Sequence, residues 1–136
     1  MKVTTTTIDN ITEVLTRIIE FTQRRREILT RNLFDYKTAD FQPKDLPVCE
    51  FAECMTEAVS EHLRSKRLLW CDRNNVTFGK EGSFDALAVV DLEAAALLNS
   101  DTKQYLQMQI RKLSENLMNN RIAVELLKQK RQRDSF

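Results

Sequence analysis

Apolar residues along this chain recur mainly at steps of three and four. From Ile8 to Phe34 they run Ile8, Ile11, Leu15, Ile18 and Ile19, then Ile28, Leu29 and Leu33 after a polar interval, a spacing that predicts an N-terminal helix over 8–34. The first four alternate steps of three and four. That makes a narrow heptad-like seam rather than a broad core face, and such a seam calls for a partner helix. Thr22 and Arg25, inside the run Thr22-Gln23-Arg24-Arg25-Arg26, take the next positions of the seam. An arginine there costs packing unless it finds a carboxylate or lays its stem along the groove. The triple arginine has Glu20 and Glu27 on either side and no interleaved aromatics, so it reads as a solvated or interface-paired face rather than a nucleic-acid site.

Asp35 to Lys44 is polar and aperiodic, hence a loop, yet it carries Tyr36 and Phe41. Two aromatics in so short a loop are expected to pin it against a helix of this chain or of a neighbour. Asp45 has the chemistry of a helix N-cap, Pro47 suits a first turn and Glu50 suits the dipole. A second helix is expected from Leu46 to Leu69, with Val48, Phe51, Met55, Val59 and Leu63 on one face. Asp72-Arg73-Asn74-Asn75 signals a turn, Val76-Thr77-Phe78 a short strand, and Gly79 and Gly82 bracket another turn. The two glycines around Lys80-Glu81 do not make a phosphate loop, which needs a longer Gly-rich run ending in Lys-Ser/Thr.

The longest periodic stretch runs from Val90 to Arg131. Leu106, Ile110, Leu113, Leu117, Asn120, Val124 and Leu127 alternate steps of four and three, a period of 3.5 that predicts knobs-into-holes packing with a partner helix. Asn120 is the polar member, and one buried Asn in such a seam sets register at a cost in stability. Ala94 to Ala96 permit close approach of another backbone. Asp91 and Glu93 sit at the positive end of the helix dipole, with Lys128, Lys130, Arg131 and Arg133 at the negative end. A helix over 90–131 would be on the order of 60 Å long and one over 8–34 about 40 Å, so neither is expected to cover the other. The expected fold is mainly α and a single domain over 1–136: long terminal helices at 8–34 and 90–131, with a loop, a shorter second helix and a small irregular or β-containing middle at 35–89.

Composition sharpens this picture. Two glycines and two prolines in 136 residues are too few for a sheet-rich fold with many turns. Charged residues make up 30% of the chain but the net charge is +1, so no global field recruits nucleic acid or an anionic membrane. No window approaches the roughly 20 apolar residues that span a bilayer, and Met1 to Thr7 lacks the pattern of a cleaved signal peptide. Cys49, Cys54 and Cys71 are odd in number and lack zinc-site spacing, with His62 the one imidazole. They read as reduced thiols. Glu53, Glu57 and Glu61 line up at intervals of four without the Glu-x-x-His step of a di-metal site. With no convergent set of catalytic groups, the chain is expected to be neither an enzyme nor a metal or cofactor protein.

Two separated blocks carry a family resemblance. Glu27, Ile28, Leu29, Asn32, Thr38, Phe41, Gln42, Lys44, Asp45 and Leu46 form one, and Val90-Asp91-Leu92-Glu93 followed by Tyr105-Leu106-Gln107-Met108 forms the other. In order and approximate spacing they resemble the bacterial flagellar basal-body rod protein family, most closely its FlgB-like proximal-rod members. Ala39 and Asp40 stand where that family has Pro-Gly, and Asp35 where it usually has Asn. If the family's turn is kept, Asp40 has to take the left-handed conformation of the missing Gly. The resemblance implies a structural subunit of the rod, part of a hollow helical axial structure and exported by the type III route without a cleaved signal peptide. Its partners would be other copies of itself and neighbouring rod or basal-body proteins, with no nucleic acid and no membrane insertion. Ile8, Ile11, Leu15, Ile18, Asn32, Phe41, Leu106, Ile110, Leu113, Leu117, Asn120, Val124 and Leu127 would form the assembly interface. The alternative is a stand-alone helical interaction module, such as a secretion chaperone or coiled-coil adaptor.

Overall fold

A computed structural model describes residues 3–79 and 83–134, and side chains over 10–79 and 83–133. The chain is mainly helical with a small strand-containing middle. In order it forms α1 (Val3–Phe34), β1 (Lys44–Asp45), α2 (Val48–Ser65), β2 (Val76–Phe78), β3 (Phe84–Ala86), β4 (Val89–Val90), α3 (Leu92–Ser100) and α4 (Thr102–Asp134). Gly82, expected to close a turn, and the side chain of Ile8 lie outside the described residues.

The long C-terminal helix is two helices. Asp101 breaks it: its backbone leaves the helical region at φ −154°, while its carboxylate accepts the Gln104 N–H at 3.2 Å and so caps α4. The run Asn99-Ser100-Asp101-Thr102 offers the backbone local side-chain partners that compete with a continuing helix. α3 folds back, and the alanine stripe serves this turn: Ala94 is fully buried against Tyr105 and Met108. α1 and α4 are left with 32 and 33 residues. At about 1.5 Å per residue both are close to 50 Å long, so the expected mismatch in length disappears. They pack on each other antiparallel, Leu15 meeting Ala123 and Leu127, Thr22 meeting Asn116 and Asn120, and Asn32 meeting Gln109.

α2 starts and stops inside its expected bounds. Pro47 occupies the N-cap without a side-chain cap, because the Asp45 carboxylate is engaged elsewhere, and Lys66 ends the helix in a left-handed conformation at φ 66°. The helix lies antiparallel along α1, Phe51 stacking on Phe21 at 4.0 Å and His62 Nδ1 lying 3.1 Å from the Asn10 amide nitrogen. Its buried face is Phe51, Cys54, Met55 and Ala58, while Val48 and Leu63, expected on that face, are exposed.

The expected strand at 76–78 pairs with β3 as a hairpin, Phe78 opposite Phe84. The hairpin closes one side of α1 over a buried arginine. Arg17 Cζ lies 4.3 Å from the Trp70 ring centre and 5.2 Å from that of Phe78, and Glu13 takes both Arg17 Nη2 at 2.7 Å and Trp70 Nε1 at 3.1 Å. Aromatic faces and a carboxylate together offset the cost of removing that charge from water. β1 and β4 form a second antiparallel pair, Lys44 opposite Val90 and Asp45 opposite Val89, extended by Asp91 N–H donating to Pro43 O at 2.9 Å.

Candidate assembly interface

The β1–β4 pair brings the loop after α1 to the start of α3 and so delivers four charged side chains to one place. Arg25 projects from α1, Asp45 from β1, Asp91 caps α3 and Lys112 reaches up from α4. Arg25 binds Asp45 through two parallel hydrogen bonds of 2.8 and 2.9 Å; Lys112 Nζ lies 2.6 Å from Asp91 and 3.4 Å from Asp45. Two cations and two anions cancel, which allows the arginine its place in the seam. The group is the carboxylate partner that the seam arginine required. Burial, the largest influence on Asp91, pushes its carboxyl up, but Lys112 and the Ala94 N–H outweigh it and hold the group below the ordinary aspartate range.

Next to this group Asn32 is buried with every polar atom engaged. Its amide nitrogen donates to Lys44 O at 2.8 Å and to Gln109 Oε1 at 2.9 Å, its amide oxygen accepts the Lys44 N–H at 3.2 Å, and its carbonyl accepts Tyr105 Oη at 2.7 Å. Burial, reinforced by the negative charge of Asp91, pushes the Tyr105 phenol up to about 12. Nearly three turns earlier on α1, Thr22 accepts Asn116 Nδ2 through its carbonyl and Asn120 Nδ2 through its hydroxyl, both at 2.8 Å. Gln109 Nε2 is buried without a partner of its own, but the hydrogen bonds that Asn32 and Thr22 make across the helix pair specify register more than they add stability.

Tyr105, Gln109, Lys112, Asn116, Ala123 and Leu127 therefore form the stripe that meets α1. It lies one position N-terminal to most of the expected seam, about 100° round the helix. A search for apolar periodicity passes over it because its members are largely polar. Its signal was the polar interruption of the α1 seam at Thr22, whose carbonyl and hydroxyl take Asn116 and Asn120 of that stripe. Of the residues expected at the interface, Leu15 and Leu127 are buried between α1 and α4, Asn32 and Asn120 are bonded across the helix pair, and Ile18 is half-buried there. Ile11 lies at the edge. Phe41 is half-buried beside Asp40, which has φ 63°, the left-handed conformation that the turn requires of it. Tyr36 packs against Tyr105 with ring centres 6.1 Å apart.

Leu106, Ile110, Leu113, Leu117 and Val124 do not point at α1. Ile110 is 57% and Leu117 45% exposed, and the other three are half-buried. The terminal seams are thus not both left for neighbouring subunits: α1 and α4 satisfy one another, Leu106 packs against Ala94, Tyr105 and Met108, and on the outside of α4 Ile110 and Leu117 stand exposed with Leu113 and Val124 half-buried beside them.

The remaining candidate groups serve the fold. Cys54 is buried, donates to Cys71 O at 3.2 Å and has its thiol pushed up by burial; Cys49 is exposed. Arg73 spans Glu53 and Glu57, and Arg64 holds Glu61. Among the described residues no helix is long and apolar enough to cross a membrane. Compared with models of known families, with curated proteins and with solved structures, the chain matches none.

Proposed function

We propose that this chain is a structural subunit of the bacterial flagellar basal-body rod, not an enzyme, joining copies of itself and neighbouring rod proteins through its α1–α4 pair into a hollow helical structure. It would leave the cell by the type III route. The observation that carries the proposal is the outer stripe of α4, where Ile110 and Leu117 stand exposed at coiled-coil spacing while α1 covers a different face of the same helix. Leucines at a period of 3.5 are costly on a solvated face and useful against another helix. The two resemblance blocks also meet in space. Asn32 binds Tyr105, and Asp45 and Asp91 share Lys112, so the residues that carry the likeness form one cluster at one end of the helix pair.

The second reading, a stand-alone helical interaction module, is favoured by the extent to which α1 and α4 satisfy each other within one chain. Light scattering over a concentration series separates the two. A subunit of an axial structure should gain mass with concentration, and Leu117→Glu should hold it monomeric with an unchanged circular dichroism spectrum. A wild-type chain that stays monomeric throughout sinks the rod proposal and leaves the module.

A further inference from the structure

Between α2 and β2 the chain turns back along α2, and side chains of one α2 stripe hold it there. Glu50 accepts the Asn75 N–H at 2.8 Å and the Asn75 amide nitrogen at 3.1 Å, and Glu53 and Glu57 both bind Arg73. Cys54 completes that stripe, since positions 50, 53, 54 and 57 share one helix face. It is fully buried and donates its thiol to Cys71 O at 3.2 Å. We infer that Cys54 and Cys71 form a dithiol site which a disulfide donor oxidises to a bond within the chain, stapling this segment to α2 in its existing place.

The contact at Cys71 O keeps the two Cα atoms within about 8 Å by bond lengths alone, and a disulfide spans roughly 4.4–6.8 Å between Cα atoms. Any closing movement falls to the Cys71 side, because residues 67–72 belong to no helix or strand while Cys54 is fixed in α2. The third thiol, Cys49, is excluded by the helix itself. Five positions from Cys54, its Cα lies about 8–9 Å away and about 140° round α2, beyond the reach of a bridge. Unequal exposure orders the reaction. Cys71 is half-buried, so a donor reaches it first; burial pushes the Cys54 thiol up, against the pull of the Arg73 charge. The Cys71 thiolate attacks the donor disulfide and releases one donor thiolate. The Cys54 thiolate then attacks the Cys71 sulfur of that mixed disulfide and releases the second. The donor takes up the two electrons, and the two protons leave with its thiols. The bond would close a loop of 17 residues and fix Trp70, the neighbour of Cys71, over Arg17.

The site is independent of how the chain assembles, so it stands or falls apart from the rod proposal. Its test is incubation of the folded wild-type chain with oxidised glutathione, blocking of free thiols with N-ethylmaleimide, and peptide mapping by mass spectrometry. The expected product links the Cys54 and Cys71 peptides, with Cys49 carrying only glutathione or maleimide, and a reductant reverses it. For a loop of this length the oxidised chain should melt roughly 5–10 °C above the reduced one. Cys54→Ser keeps a donor for Cys71 O and should stop at the glutathione mixed disulfide on Cys71. Cys71→Ser should leave Cys54 unmodified in the folded chain. A wild-type chain that retains glutathione on Cys71 or leaves both thiols free, a bridge that involves Cys49, or an oxidised form that melts no higher than the reduced one overturns the inference.

Discussion

Replacing Asp45 with alanine tests whether the buried charge group holds the helix pair together. Arg25 and Asp45 have side chains 9% and 13% exposed and share two short hydrogen bonds. Removing one member of a buried pair costs about 3–5 kcal/mol, most of it from the charge left behind. Here Lys112, at 22% exposure, keeps Asp91 as a partner, and some water reaches the site, which lowers the expected cost to about 2–4 kcal/mol. The Asp45 contact to the Leu46 N–H at 2.8 Å is also lost, a contribution of roughly 1 kcal/mol within that range. Urea unfolding should register the loss as a lower midpoint at unchanged slope, and thermal unfolding as a fall of roughly 10 °C for a chain of this size. Adding Arg25→Met should restore a substantial part, because the uncompensated charge is gone. An Asp45→Ala chain within about 0.5 kcal/mol of wild type, the ordinary range of a surface substitution, would refute the claim that Arg25 depends on this carboxylate.

Asp40→Gly should be neutral or stabilising by up to about 1 kcal/mol, and Asp40→Val destabilising by roughly 1–2 kcal/mol, since the site is left-handed and a β-branched residue resists positive φ; thermal melts that rank Val above Gly would contradict this. Leu117→Ala should cost the monomer under about 1 kcal/mol but the assembled state about 2–5 kcal/mol, read as a higher dissociation concentration at an unchanged monomer melting point; a monomer that unfolds instead shows the stripe to be internal. Asp91 has a depressed pKa, so its stabilisation is present above the unfolded value of 3.8 and is lost as pH falls through the lower folded value. Lys112→Met should move that acid loss to higher pH. Tyr105 is shifted the other way: its contribution is complete below pH 10.0 and lost as pH rises towards about 12, and an ultraviolet titration in which every phenol ionises around pH 10.0 would contradict its burial.

Helices were legible where local spacing alone forms them. The helical spacing of Ile11 to Leu33 and the 3.5-residue period of Leu106 to Leu127 marked α1 and α4, the short strand at Val76–Phe78 followed from its flanking turns, and the left-handed Asp40 was expected only from the resemblance, as the residue standing where that family has Gly. The break at Asp101 was also local, carried by Asn99 to Thr102, but a strong apolar period on either side masked it. The sequence on its own therefore determined the helical class, the order of the N-terminal helix, second helix, first hairpin strand and C-terminal helical region, and the presence of an apolar seam on the last helix, all properties of residues within a turn or two of each other; β1, β3, β4 and the split into α3 and α4 did not come from it.

Only the tertiary structure decided which stripe of α4 meets α1. Thr22 and Asn32 need hydrogen-bond partners once buried, and Asn116 and Gln109 supply them from 94 and 77 positions away, while Arg25 takes Asp45 and Lys112 of α4 joins that group through the carboxylates. That demand outweighed the apolar seam one position round the helix, because leucines tolerate the surface whereas buried amide, hydroxyl and carbonyl groups have to be satisfied where they are. Asp45 illustrates the same priority: its local chemistry suits a helix cap, but the charge of Arg25, twenty residues earlier, claims the carboxylate and leaves Pro47 at the cap position.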